Sequence, residues 1–335
     1  MRKIELVVVF ILGAVLNTVN AQIIPTFGDS RSGSTGMQFL KISPDARSLA
    51  LGGSFVAIAN DVSAMYWNPA GITHTDTGKV NVFMSSTKYF GDISANYAGV
   101  VSKVGKLSYL GFQVFGMNYG TMQETTEFEA KGTGRTFSVG NYYLGLTYAQ
   151  VLTNSFSFGI NARFANEGYP NITVNNVLFD LGLKYDVGVK NTRFGINFSN
   201  FGFNVKPDGV AQVLKFNGST DITNFTTVTV PGVFRIGAAF DPIIGYTHNL
   251  TIAAQLNHPT DNNETYAIGA EYSFKKILYG RAGYELASDE QYLFPSLGVG
   301  FKLLRNFGGL TLDYGFMGKN QLGNIHRISV ALNIK

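Results

Sequence analysis

Cysteine is absent from the 335 residues. Its absence excludes disulfides, thiolate metal ligands, a cysteine nucleophile and a lipid-anchor cysteine. Charge is scarce: 14% of residues are Asp, Glu, Lys or Arg, against about 25% in soluble domains. The net charge of +4 is modest, and no Lys/Arg run marks a nucleic-acid surface. Beyond the leader, no apolar run approaches the roughly 20 residues of a membrane helix. Chemistry-bearing motifs are equally thin. His74, His248, His258 and His326 lack metal-ligand spacing and HExxH is missing, so they read as isolated loop residues. No Gly-x-Ser-x-Gly elbow occurs, and Gly52-Gly53 and Gly308-Gly309 precede no phosphate-binding helix. The expectation is a non-enzymatic protein with no metal and no cofactor.

What the chain does have is glycine, at 39 residues, and aromatics, at 13%. Low charge combined with Gly, Tyr and Phe suits a surface that faces lipid. Without membrane helices, only a closed β-barrel satisfies every backbone group in a bilayer. Residues 1–21 read as a signal peptide: Arg2 and Lys3, an apolar core from Ile4 to Leu16, and Val19-Asn20-Ala21 before a cleavage point at Gln22. Residues 22–78 form a lead-in and a hatch-like segment, with a short helix expected at Asp45–Leu51 and an extended piece at Ser54–Ala59. Residues 79–335 form the barrel.

Fourteen strands are expected, at 79–90, 93–103, 106–119, 136–151, 154–166, 174–189, 191–203, 229–240, 247–257, 263–275, 277–287, 291–303, 307–318 and 323–334. Their period of two separates a lipid face from a lumen face. Val177, Phe179, Leu181, Leu183, Tyr185 and Val187 fall on one side, and Asp180, Gly182, Lys184 and Asp186 on the other. Short gaps follow most even strands. Longer ones follow several odd strands, at Gly120–Arg135, Glu167–Thr173 and Asn204–Val228. An even count with that parity leaves both barrel termini on the short-turn, periplasmic side. The fold class is thus all-β: a fourteen-stranded antiparallel transmembrane barrel whose N-terminal segment plugs or covers the periplasmic mouth.

Alternation places Arg163, Lys184, Arg193, Arg235, Arg281, Lys302 and Arg327 in the lumen, with Asp180, Asp186, Glu271, Glu285 and Asp313. Mixed signs favour internal ion pairs over a pore selective for one ion type. Glu124, Glu127, Phe128 and Glu129 in one long loop, and Val213, Leu214, Phe216 and Phe225 in another, are candidates for partner contact.

The segment Met37–Gly71 carries a family resemblance. PDARSLALGGSFVAIANDVSAMYWNPAG, with Asp45-Ala46-Arg47, Gly52-Gly53, Ala57, Asp61 and Trp67-Asn68-Pro69-Ala70-Gly71, resembles the N-terminal signature of the PorV/PorQ family of Bacteroidetes outer-membrane proteins. Its Asn-Pro-Ala turn is similar to that of FadL-like barrels, which have fourteen strands. The resemblance implies an outer-membrane protein of the type IX secretion or gliding machinery. Its partners would be a large translocon barrel, or secreted cargo with a C-terminal sorting domain. The FadL-like side of the resemblance implies an alternative, a transporter of hydrophobic small molecules with the segment as a hatch.

Overall fold

A computed structural model of the chain describes residues 33–75, 78–215, 218–286, 295–305, 308–319 and 323–334. The proposed signal peptide lies outside the described residues. No described helix is long and apolar enough to cross a membrane.

Fourteen strands form one closed antiparallel barrel. They are β1 (Val80–Lys88), β2 (Ser94–Lys103), β3 (Ser108–Gln123), β4 (Thr136–Val151), β5 (Phe156–Tyr169), β6 (Ile172–Asp186) and β7 (Arg193–Gly202), then β8 (Val233–Ile243), β9 (His248–Pro259), β10 (Thr265–Phe274), β11 (Leu278–Leu286), β12 (Ser296–Arg305), β13 (Gly308–Lys319) and β14 (Gly323–Ile334). Each pairs with its neighbours in sequence, and β1 pairs with β14 from Val80↔Ile334 to Lys88↔His326, which closes the ring. The period of two is regular. Val177, Phe179, Leu181, Leu183 and Tyr185 are exposed on the outer wall, while Asp180 and Lys184 between them are buried. This is the outward-apolar, inward-polar alternation of a membrane barrel.

Three expectations are corrected. Thr173 is a strand residue: β5 and β6 run to Tyr169 and Ile172 and meet in a two-residue turn in which Asn171 takes a positive φ of 62°. Asn tolerates that conformation, so no long loop is needed. Residues 56–58 form a turn and 54–59 hold no strand, because the Phe55 carbonyl accepts the amides of Ile58 and Ala59. Three of the histidines lie in wall strands, not loops. His248 bonds the Tyr272 hydroxyl and lies beside Phe274 near one rim, and His326 bonds the Tyr314 hydroxyl and lies beside Phe316 near the other. They belong to aromatic girdles of the kind that mark the membrane boundaries. His258 sits at the end of β9 against Glu264, and His74 bonds Asp186.

Candidate functional site

The N-terminal segment runs inside the barrel. A 3-10 turn at Gln38–Lys41 leads to the short helix α1 (Ala46–Ala50), then to α2 (Ala64–Trp67) and a second 3-10 turn at Pro69–His74. Asp45 organises this fold. One carboxylate oxygen accepts the Ser48 amide at 2.6 Å, which caps α1, and the other accepts the Trp67 indole N–H at 2.9 Å. The cap satisfies an amide that the first turn of a helix leaves orphaned. Gly52 and Gly53 turn the chain at φ of 62° and 85°, where a side chain would be strained. Asn68 holds the turn and ties it to the wall: its Oδ1 accepts from the Ala70 amide, and its Nδ2 donates to the carbonyls of Val56 and Leu183. Gly71 packs where a Cβ would lie 2.5 Å from the Ala59 carbonyl oxygen. Asp61 accepts from the amide and hydroxyl of Ser63 and stands 4.0 Å from Arg47.

The wall is shaped to receive this plug. Eight inward glycines stand in four directly opposed pairs on neighbouring strands: Gly159↔Gly182, Gly195↔Gly237, Gly269↔Gly283 and Gly298↔Gly315. Each pair faces a different stretch of plug: Asn68 to Ala70, then Val56 and Ala57, then Leu51 to Ser54, then Ala46 and Ala50. A Cβ at Gly283 would lie 2.0 Å from the Leu51 carbonyl carbon, and one at Gly182 2.3 Å from the Asn68 side-chain oxygen. Neither position has room for any other residue.

The charged lumen residues form discrete clusters. Arg47 from the plug grips Glu271 through two nitrogens, at 2.7 and 2.8 Å. Arg281 bonds Glu271 and Asp313, both at 2.6 Å. Arg163 bonds Asp180 at 2.6 Å, and Asp180 also accepts from Asn161 and the Asn200 amide. Arg235 lies over the rings of Tyr66 and Trp67 and bonds Asn197 and Ser199. Arg327 bonds Thr87, Ser43, the Asp45 carbonyl and Tyr89. Lys184 donates to the Ala59 carbonyl, and Arg193 pairs with Asp241. Glu285 and Lys302 line two separate lumen cavities of about 240 and 260 Å³. Removing one member of such a buried pair strands its partner, which costs about 3–5 kcal/mol.

Sequence reasoning missed the aromatic side of the lumen. Phe39 of the plug stacks on Phe115 at 6.3 Å, Phe115 stacks on Tyr143 at 5.1 Å, and Phe83 meets Tyr97 edge-on at 5.9 Å. Met37, Leu40, Met117 and Leu178 complete the cluster. The signal was hidden because β3 is apolar on both faces, with Leu110, Phe112 and Val114 outward and Phe115 and Met117 inward.

A strap at residues 35–41 crosses the long-loop end of the lumen. The segment therefore extends to the mouth opposite the barrel termini. Asp261, in the loop between β9 and β10, accepts from the Thr35 hydroxyl at 2.6 Å and the Gln38 amide at 2.7 Å, and pairs with Lys41 at 3.1 Å. Burial alone would raise the Asp261 pKa. The bonds from Gln38 and Thr35 and the Lys41 ammonium override it and hold the carboxyl below its ordinary value. Glu167 accepts the Met37 amide at 2.8 Å, and Thr35 bridges to Thr229. Beside the strap, Gly33–Gly36, Tyr169, Phe225 and Val228 line a mouth pocket of about 460 Å³.

Of the loop candidates, Glu124 bonds Thr133 and Arg135 and closes its hairpin, while Glu127, Phe128 and Glu129 are exposed at the tip. In the longest loop, Ala211–Lys215 and Gly218–Ile222 form a strand pair separate from the barrel sheet. Phe216 and the side chains of Val213 and Leu214 lie outside the described residues. Among the described residues, no group of three His, Asp or Glu side chains could hold a metal ion.

Comparison with solved structures matches this architecture to outer-membrane barrels. The toluene transporter TbuX of Ralstonia pickettii superposes with a TM-score of 0.60 at 14% identity, over 88% of this chain and 100% of that one. The toluene transporter TodX of Pseudomonas putida gives 0.57 at 14%, over 87% and 97%. A FadL homologue from Pseudomonas aeruginosa gives 0.55 at 11%, over 88% and 99%. The fold is that of an outer-membrane β-barrel of the FadL type. Within that fold, residues 19–334 match the uncharacterised protein family UPF0164, and the chain belongs to it. Comparison with curated proteins gives no match.

Proposed function

We propose that the protein passes small hydrophobic molecules across the outer membrane. The observation that carries this reading is the aromatic face of Phe115 and Tyr143, in one apolar cluster with Tyr97 and Phe83, on which Phe39 stacks from a strap of the same chain. Apolar side chains with a few polar groups are what a hydrophobic ligand needs. The polar ties that hold the strap concentrate on Asp261 and Glu167. Displacing Phe39 frees an apolar site next to the mouth pocket. The named activities of TbuX and TodX, toluene transport, agree with this reading.

The test uses the absence of cysteine. A Gln38→Cys/Asp261→Cys pair, oxidised, locks the strap without competing thiols. In vesicles carrying the barrel, toluene uptake is expected to saturate, to fall on oxidation and to recover on reduction. Uptake equal with and without the lock ends the transport reading.

A second reading is recognition of a larger secretion barrel or its cargo, as the PorV/PorQ resemblance implies. The separate strand pair of Ala211–Lys215 and Gly218–Ile222 favours it, since among the described residues its strands pair with each other alone and leave edges on which another chain could pair. Deleting residues 208–226 would then leave the barrel folded and abolish a complex captured from native membranes. Retention of that complex counts against this reading.

A further inference from the structure

The outer wall carries a feature that neither reading uses. Across β13, β14, β1, β2, β3 and β4 the outward residues align in rows. One row reads Tyr314, Ile328, Ser86, Asn96, Gly116, Tyr142. The tyrosines at its ends belong in an aromatic girdle. Three consecutive strands between them present a serine, an asparagine and a glycine. A Cβ on Gly116 would meet nothing within 4 Å. The wall is recessed there into an open groove of about 590 Å³.

The groove changes polarity along its length. The row on its barrel-centre side, Met84, Ala98 and Val114, is apolar. The row on its rim side carries Lys88 and His326, paired across β1 and β14. Ser86 and Asn96 lie between. Among the described residues no side chain bonds Ser86 or Asn96. Asn166 and Asn175, outward and directly opposed on β5 and β6, provide the contrast: they bond each other at 2.7 Å. At the edge of the hydrocarbon an amide without a partner is costly. The wall relieves that cost at Asn166 and leaves it open at Asn96.

We infer that the groove binds one anionic lipid. Its acyl chain lies along Met84, Ala98 and Val114, its ester or amide linkage is hydrogen-bonded by Asn96 and Ser86, and its headgroup pairs with Lys88. The order apolar, polar, cationic along the wall matches the order tail, linkage, anionic head along such a lipid. A second protein wall would meet the apolar row but would bring a regular outward face against the unpaired amide. That arrangement is the alternative to be tested.

The barrel, folded in detergent and checked by its heat-modifiable gel mobility, would be titrated with phosphatidylglycerol or phosphatidylcholine and read by native mass spectrometry. One phosphatidylglycerol is expected to stay bound at collision energies that strip phosphatidylcholine. The double substitution Asn96→Leu/Gly116→Phe fills the groove, and retention should fall at least tenfold. Lys88→Gln should erase the preference for phosphatidylglycerol while leaving chain binding intact. A benzophenone side chain at Ser86 in the otherwise native barrel gives a readout that needs no disruptive variant, and it should cross-link lipid in native membranes. Equal retention of the two lipids, unchanged retention in the filled variant, or cross-linking of Ser86 to a protein would each overturn the proposal.

Discussion

The two sides of the lumen solve the same packing problem with different physics. From β1 to β4 the wall meets the plug chiefly through rings: Phe83, Tyr97, Phe115 and Tyr143. From β10 to β13 it meets the plug through a relay of ions, Arg47–Glu271–Arg281–Asp313. The ionic side fixes position, because bidentate charge-assisted bonds are satisfied in one register only. The aromatic side fixes volume, because apolar contact is non-directional. One wall locks the plug and the other provides a surface that a hydrophobic ligand could share with Phe39.

The largest effect is expected at a glycine socket of the ionic wall, on β11. Gly283→Val forces a side chain into the Leu51–Gly52 backbone and should destabilise the barrel by more than about 3 kcal/mol. The loss would be read from the temperature at which heat-modifiable mobility disappears. A barrel unchanged by this substitution would mean that the plug can sit elsewhere. On the ionic side, Glu271→Ala strands Arg47 and Arg281 and should cost about 3–5 kcal/mol. The quadruple change Arg47→Met/Glu271→Leu/Arg281→Met/Asp313→Leu, which leaves no member of the relay unpaired, should recover most of it, measured in the same assay. A loss no larger than an exposed ion pair's would refute the lock.

On the aromatic side the loss should scale with volume. Phe39→Leu is expected to cost about 1–2 kcal/mol and to raise affinity for small aromatic hydrocarbons, measured by calorimetric titration. The strap gives the smallest effect. The Asp261 carboxyl is held below the roughly 3.9 of a free aspartate, so its stabilisation is complete above that value. It is lost as pH falls through the lower, folded value. Proteolytic protection of residues 35–41 should hold at neutral pH and fail only in strong acid. In Asp261→Asn the dependence on pH should shrink, the Glu167 tie being left, and protection should weaken at all pH values.

The barrel was legible because lipid imposes one rule on every strand. Val177, Phe179 and Leu181 had to alternate with Asp180 and Lys184, and the turn lengths then set the strand parity. Lumen charges such as Glu271 and Arg281 followed from the same alternation. Their partner in the plug, Arg47, did not, because no local pattern says where a plug lies inside a ring. The aromatic slot was lost in β3, where both faces are apolar and alternation carries no contrast. His326 shares the face of Ile328 and Val330 along β14, so it could have been assigned to the outer wall. The glycine pairs were out of reach for another reason. Gly159 and Gly182 are visible in the sequence, but only the register of β5 against β6 sets them face to face.

Those pairs also bear on how the molecule is assembled. The eight paired positions are cut back to bare backbone, and the gap at each pair is filled by one stretch of a segment that precedes β1 in the chain. The sockets lie on strands from β5 to β13, and the ring closes only where β14 meets β1. The plug therefore sits like a mandrel in a casting, filling furrows that the wall leaves open to it. A chain lacking residues 37–75 would have to close over four furrows with nothing in them.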